Sequence, residues 1–257
     1  MAGIPSRAIP MKIKLFLAAA LAALLVPAAA RADDGDQVKS ALKKKFPELN
    51  IDAVRKVPYG NLFEINAQGE VFYTDDKTSF LFLGSIVDTK TKENVTEART
   101  KQINAVKFDA LPLDSAIKIT RGNGARKVAI FEDPNCGYCR RFEQDLLAVS
   151  DITVYVFLYP ILSPDSMEKS KAVWCSPDKG QAWLDLMLKG TKPAPADAKC
   201  NTAAVDKTLA FGRGKRVQGT PTIFFEDGDR VGGAMTREQF DKKLASIKPE
   251  KAADASK

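Results

Sequence analysis

The chain has 257 residues, 39 Lys+Arg against 32 Asp+Glu for a net charge of +7, four cysteines and no histidine. Without imidazole there is no Ser-His-Asp triad, no Cys-His dyad and no His-ligated metal. Neither a G-x-x-x-x-G-K-S/T phosphate loop nor a G-x-G-x-x-G fingerprint is present. An apolar share of 45% is that of a globular protein, and the length suits one to two domains.

Residues 1–32 read as a secretory signal peptide. Lys12 and Lys14 precede an apolar run from Leu15 to Ala30, and Ala30-Arg31-Ala32 supplies a small-x-small cleavage site before Asp33 and Asp34. Cleavage after Ala32 is the first choice and after Ala30 the second, with Met11 a second candidate start. The run is short for a membrane anchor and is broken by Pro27. Removing 1–32 takes away Arg7, Lys12, Lys14 and Arg31 and no acid, so the net charge falls from +7 to +3. That balance is too mild to argue for a nucleic-acid partner. Export places the cysteines where disulfides persist.

The next segment, 33–94, is expected to be a small helix-plus-sheet module. Val38, Leu42 and Phe46 have helical spacing and stop before Pro47. Strand-like runs follow at 62–65, 71–74 and 79–83, punctuated by Gln68-Gly69 and by Asp75-Asp76-Lys77. About sixty residues make a marginal core, and edge strands offer themselves to a second copy. Residues 95–111 have a thin apolar stripe (Val95, Ala98, Ile103, Val106) and predict a helix bridging two domains. The linker is expected over 95–114.

From Ser115 onward the pattern is α/β. Strands are predicted at 116–120, 127–131, 152–159 and 222–225, with Arg230-Val231 after the turn Glu226-Asp227-Gly228. Helices are predicted at 140–149, 165–174, 181–189, 202–211 and 236–247. Alternating strands and helices closed by a hairpin indicate one layered domain over 115–248. Residues 249–257 read as a polar tail.

The strongest chemical signal is Asp133-Pro134-Asn135-Cys136-Gly137-Tyr138-Cys139, where a buried strand turns into a helix. A helix N-terminus offers unpaired N–H groups and partial positive charge. Both favour a thiolate, the nucleophile of disulfide exchange. Cys139 lies one turn on, on the same face. The expectation is an attacking Cys136 at an exposed helix tip and a deeper, resolving Cys139. Half of a zinc site and a purely structural disulfide are the alternatives. Cys175 and Cys200 lack the paired short spacing of zinc ligands, and the strand–turn–helix setting speaks for exchange. In an exported chain Cys175 and Cys200 most simply bond to each other; a second exchange pair is the alternative.

The signal peptide, N-terminal module, linker, Cys136-Gly137-Tyr138-Cys139 and Gly219-Thr220-Pro221-Thr222 together resemble the DsbC/DsbG family of bacterial periplasmic thiol:disulfide interchange proteins. The resemblance covers essentially the whole chain after residue 32. It implies an α+β/α/β architecture with a cystatin-like dimerisation module, a linker helix and a thioredoxin-like domain carrying a helical insertion. It also implies a periplasmic homodimer that isomerises misfolded, disulfide-containing exported proteins, has chaperone activity, and is kept reduced by the membrane protein DsbD. No metal or other cofactor is implied. Cys136 and Cys139 match the family's catalytic pair. Gly137, Tyr138, Thr220 and Pro221 match its active-site support and substrate-contact positions, with Pro221 cis, and Cys175–Cys200 matches its structural disulfide. One departure from the wider thioredoxin pattern stands out: the place six residues before the first cysteine, often a buried acid, is Ile130, which leaves water or Glu132 for proton transfer to Cys139. A monomeric oxidase similar to DsbA and a redox-independent holdase are the rival readings.

Overall fold

The computed structural model describes residues 34–247. The expected signal peptide (1–32) and polar tail (249–257) lie outside the described residues.

The first helix, α1 (Asp34–Lys45), carries Asp34 and Asp36 in its first turn and Lys43, Lys44 and Lys45 in its last. Each charge type faces the helix-dipole end that stabilises it. It buries Val38 and Leu42 against an antiparallel sheet of β1 (Ile51–Lys56), β2 (Phe63–Ala67), β3 (Glu70–Thr74) and β4 (Leu81–Phe82), in that order. Phe63, Ile65 and Phe72 complete this small core. Gln68 and Gly69 both take positive φ, 56° and 84°, and close a two-residue hairpin. The sequence reading did not mark β1 as a strand. Only Ile51 of its six residues is buried, so an edge strand rich in charge shows no alternation to read.

The helix α2 (Val95–Asn104) starts at Asn94, whose side-chain oxygen accepts from the Glu97 N–H at 3.0 Å. It is fixed to the sheet by the Tyr73–Thr96 hydroxyl pair at 2.7 Å and by Glu64, buried and shared between Arg55 (2.7 Å) and Arg99 (2.9 Å). The helix is shorter than the predicted 95–111. Asn104 turns its amide back to the carbonyls of Thr100 (3.0 Å) and Gly69 (2.7 Å). Ala105 then extends, and the Val106 N–H donates to the Gly228 carbonyl at 3.1 Å. A backbone bond to the following domain competes with continued helix and wins.

The larger half holds β5 (Ile117–Arg121), β6 (Arg126–Glu132), α3 (Gly137–Leu146), β7 (Ile152–Leu158), α4 (Pro164–Trp174) and α5 (Lys179–Leu184). A π-helical turn, Asp185–Lys189, extends α5. There follow α6 (Ala203–Gly214), β8 (Thr222–Phe225), β9 (Arg230–Gly232) and α7 (Arg237–Ser246). The sheet order is β5-β7-β6-β8-β9. Its one parallel pair, β6 with β7, is joined through α3. Along β6, Val128 and Ile130 face a core shared with Phe142, Trp183 and Phe240, while Ala129 and Phe131 face Phe157, Leu209 and Phe224. Cover on both faces explains why this strand is a continuous apolar run. The C-terminal end of the central strand β6 delivers the Cys136 loop.

Tyr159 closes the β7 end of the second core and donates its hydroxyl to the Val217 carbonyl at 2.9 Å, next to the loop that leads to Pro221. Its ring lies where a Cβ at Gly212 would sit. Gly212→Ala is therefore expected to destabilise the protein by roughly 1–3 kcal/mol, read as a lower urea midpoint by circular dichroism. An unchanged midpoint would show that Tyr159 yields freely.

Candidate active site

Cys136 is the N-cap of α3, in extended conformation. Its sulfur accepts from the Cys139 backbone N–H at 3.2 Å. As a thiol it donates to the Thr220 carbonyl at 3.3 Å. The expected exposed sulfur is corrected: Cys136 is only 4% exposed and Cys139 is fully buried. The surface above them is Gly137 and Tyr138, the latter 72% exposed.

The two thiols are driven apart. The pKa of Cys136 is lowered to about 6, chiefly by hydrogen bonding from Cys139. Burial opposes this, and the Thr220 side chain and the N–H groups of Cys139 and Tyr138 add to the lowering. Burial, first of all, drives the Cys139 thiol far above the ordinary range, and the hydrogen bond to Cys136 and the charge of Glu132 push the same way. The sign for stability follows. The lowered Cys136 value stabilises the folded reduced protein fully above the unfolded thiol's pKa, and this contribution is lost as pH falls through about 6.

Sequence reasoning missed the group that holds the loop. Asp133 is completely buried at the end of β6. One carboxylate oxygen accepts from the Asn135 N–H (2.8 Å) and the Ser166 hydroxyl (2.7 Å). The other accepts from the N–H groups of Ile161 (2.8 Å) and Leu162 (2.9 Å). The Asn135 side chain extends the network to Ser163, Asp165, Ser166 and Lys169. The turn before Cys136 is thus tied to the start of α4, and half-exposed Leu162 is brought beside it. Four donors occupy its carboxylate. The usable signal was a short acid between an apolar strand and the cysteine motif.

The Thr220–Pro221 peptide bond is cis, and β8 begins directly after it. Thr220 is brought to Cys136 from 84 residues away, with Pro221 directly after it. Cys175 and Cys200 are bonded to each other, with Cα atoms 6.0 Å apart, at the end of α4 and just before α6. Cys136 and Cys139 are the free thiols among the described residues. Arg140 is exposed.

Comparison with known proteins matches residues 113–248 to the thioredoxin-like domain and residues 27–97 to the disulfide bond isomerase protein N-terminal domain. A thiol:disulfide interchange protein DsbC of Bordetella pertussis is 44% identical over 209 residues, covering 81% of this chain and 74% of the relative. The chain belongs to the DsbC family of thiol:disulfide interchange proteins. The DsbC of Escherichia coli strain K12 is more distant, at 26% identity over 213 residues, covering 79% of this chain and 84% of that one. A crystal structure of a disulfide interchange protein from Neisseria gonorrhoeae aligns over 55% of this chain and all of its own, with 38% identity and a TM-score of 0.51. The DsbC assignment bears out the expected family, the fold of an N-terminal module followed by a thioredoxin-like domain, and thiol–disulfide interchange as the activity.

Asp133→Asn places an amide NH₂ or an unmatched oxygen against donors that now share a carboxylate. It is expected to lower stability by about 3 kcal/mol, with faster proteolysis near Ile161–Leu162. Equal stability of the variant would show that these four contacts do not hold the loop.

Proposed function

We propose that Cys136 and Cys139 are the catalytic pair of a protein disulfide isomerase acting on exported proteins. The observation that carries this reading is geometric: Cys136 caps α3 and accepts from the Cys139 N–H at 3.2 Å, both thiols are free, and Cys139 is buried one turn on; in keeping with it the two thiols are displaced in opposite directions, to about 6 for Cys136 and far upward for Cys139. Near neutral pH one sulfur is a thiolate and the other stays protonated. The Cys136 thiolate attacks one sulfur of a substrate disulfide. The substrate S–S bond breaks, its second sulfur leaves as a thiolate, and a mixed disulfide forms. Another substrate thiolate then attacks the substrate sulfur of that mixed disulfide, forms a new pairing and releases Cys136 unchanged. No net electrons move. Alternatively, Cys139 attacks Cys136, releases the reduced substrate and leaves the enzyme oxidised.

The reading assigns substrate contact to Gly137, Tyr138, Thr220 and Pro221. The exposed Tyr138 ring and the Thr220 carbonyl flanking the sulfur support it. It assigns a structural role to Cys175–Cys200, whose closure of the α4–α6 excursion is worth about 3 kcal/mol in the chain-entropy model. The functional divisions are a signal peptide at 1–32, a dimerisation domain at 33–94, a linker at 95–114, a catalytic domain at 115–248 and a tail at 249–257. A homodimer through the N-terminal modules fits the open edge at β4, where Phe80, Phe82, Leu83 and Val87 are exposed. The periplasm is the compartment that suits an exported exchange enzyme. DsbD is the reductant that would return Cys136–Cys139 to thiols, and chaperone activity towards misfolded chains accompanies the chemistry.

Residues 33–257 are expected to reactivate a scrambled-disulfide protein in a glutathione buffer, and Cys136→Ala is expected to fall to the uncatalysed rate. Full reactivation by Cys136→Ala, or rapid oxidation of a reduced peptide with no reactivation, would overturn the isomerase reading.

A further inference from the structure

A cavity of about 490 Å³ lies where the two halves of the chain meet, and Thr220, whose carbonyl touches the Cys136 sulfur, forms part of its wall. That volume suits a small ligand or a few residues of an extended chain. Glu70 on β3 and Lys101 on α2 line it from the N-terminal half, and Arg216 and Arg230 line it from the larger half. Three cations thus face one acid.

The three cations are not equally engaged. Lys101 pairs with Glu97 at 3.1 Å and Arg216 with Asp52 at 3.0 Å. Arg230, half-buried on β9, donates from Nη1 to the Lys215 carbonyl at 2.6 Å. It enters no ion pair among the described residues. Burial lowers its pKa, the charge of Glu70 opposes this, and the charge of Arg216 adds to the lowering. A guanidinium keeps its proton all the same. Arg230 is therefore a fixed, partly desolvated charge, and the group that answers it best is a carboxylate gripped by two N–H donors.

The backbone around it is bare. β9 is the edge strand of the larger sheet. Its Gly232 pairs with Thr222, and the Gly233 N–H donates to the Pro221 carbonyl at 2.8 Å, so the end of β9 is tied to the cis-proline turn. Gly219 and Gly232 both line the cavity. Neither has a left-handed φ, and a Cβ on either would meet nothing within 4 Å among the described residues. A strand glycine that neither turn geometry nor packing demands marks a place where another backbone comes close.

We propose that this cavity is a subsite for an acidic residue of the substrate chain, a few positions from the cysteine that Cys136 attacks, with Arg230 as its anchoring cation. The substrate backbone passes over Gly219 and Gly232, and its carboxylate enters between Arg230, Arg216 and Lys101. Because Lys101 belongs to α2, the subsite is complete only while the linker helix lies against the larger domain. Disulfides with an Asp or Glu close by are the ones favoured for attack.

The inference rests on Cys136 as the attacking thiol, and the test separates the two claims. Peptides whose single cysteine carries a thionitrobenzoate group report the attack by colour. The bond from Cys136 to the peptide sulfur forms, the old S–S bond breaks, and thionitrobenzoate leaves with the bonding pair. The peptides carry Glu or Gln two, three or four residues from the cysteine. With the reduced protein the Glu peptide is expected to react about 10-fold faster than the Gln peptide in at least one register, the size of one charge-assisted hydrogen bond. Arg230→Gln is expected to bring that ratio to within a factor of about two, and Arg230→Lys, which keeps the charge without the fork, to retain part of it. Each ratio is taken within one protein, so a loss of active protein does not imitate the result. Arg213→Gln removes an exposed cation of α6 outside the cavity and is expected to keep the full ratio. Equal rates for Glu and Gln in every register, a ratio that survives Arg230→Gln, or one that falls as far in Arg213→Gln would overturn the subsite. An Arg230-dependent reaction with oxidised glutathione and none with the Glu peptides would overturn the substrate chain as its occupant. Absence of colour from every peptide with the unsubstituted protein would overturn Cys136 as the attacking thiol.

Discussion

The sulfur of Cys136 is held by Cys139 one turn on, whose side chain is the first cause of its lowered pKa and whose backbone N–H donates to it through a 3.2 Å hydrogen bond. That hydrogen bond exists because Cys136 is the N-cap of α3, the position whose side chain faces the unpaired N–H groups of the first helical turn. A serine or aspartate there would merely start the helix. A cysteine there becomes an anion held near neutral pH. The same turn carries Cys139 into the core, where an anion is costly. One helical turn thus separates a sulfur of lowered pKa from one of raised pKa.

The rest of the domain brings two distant loops to that turn. β6 lies between β7 and β8 with apolar cover on both faces, so its C-terminal end is among the best-fixed points in the sheet. Asp133 then spends its carboxylate on the 161–166 segment and stiffens the approach to Cys136. From the other side, the Tyr159 hydroxyl and the start of β8 position the Thr220 carbonyl at the sulfur. Among the described residues, the N-terminal half is not hydrogen-bonded to the thiols. Its contacts with the larger half include the Val106 N–H bond to Gly228 and the Asp52–Arg216 ion pair at 3.0 Å, in the segment just before Thr220. The position of the N-terminal module and the loop beside the active site are therefore physically linked.

Much of this was legible in the sequence because it rests on local rules. The apolar runs at 127–131 and 152–159 match β6 and β7 within a residue or two, since strands covered on both faces need no alternation to be recognised. Cys136 and Cys139 were legible because spacing and setting coincide at a helix start. β1 was not, because an edge strand with one buried residue carries no periodic signal. The end of α2 was not, because a long-range backbone bond from Val106 to Gly228 decides it. The burial of Cys136 and the four partners of Asp133 depend on segments far along the chain, and a single sequence gives such contacts no local trace.

The most direct test of the account is a pH titration of thiolate absorbance in the reduced protein, with Cys136→Ala as the reference. The account predicts one thiolate with a midpoint of about 6, absent from Cys136→Ala, and no ionisation of Cys139 across the neutral range. A single midpoint near the ordinary thiol value of about 8.5, or two cysteines ionising together, would contradict it.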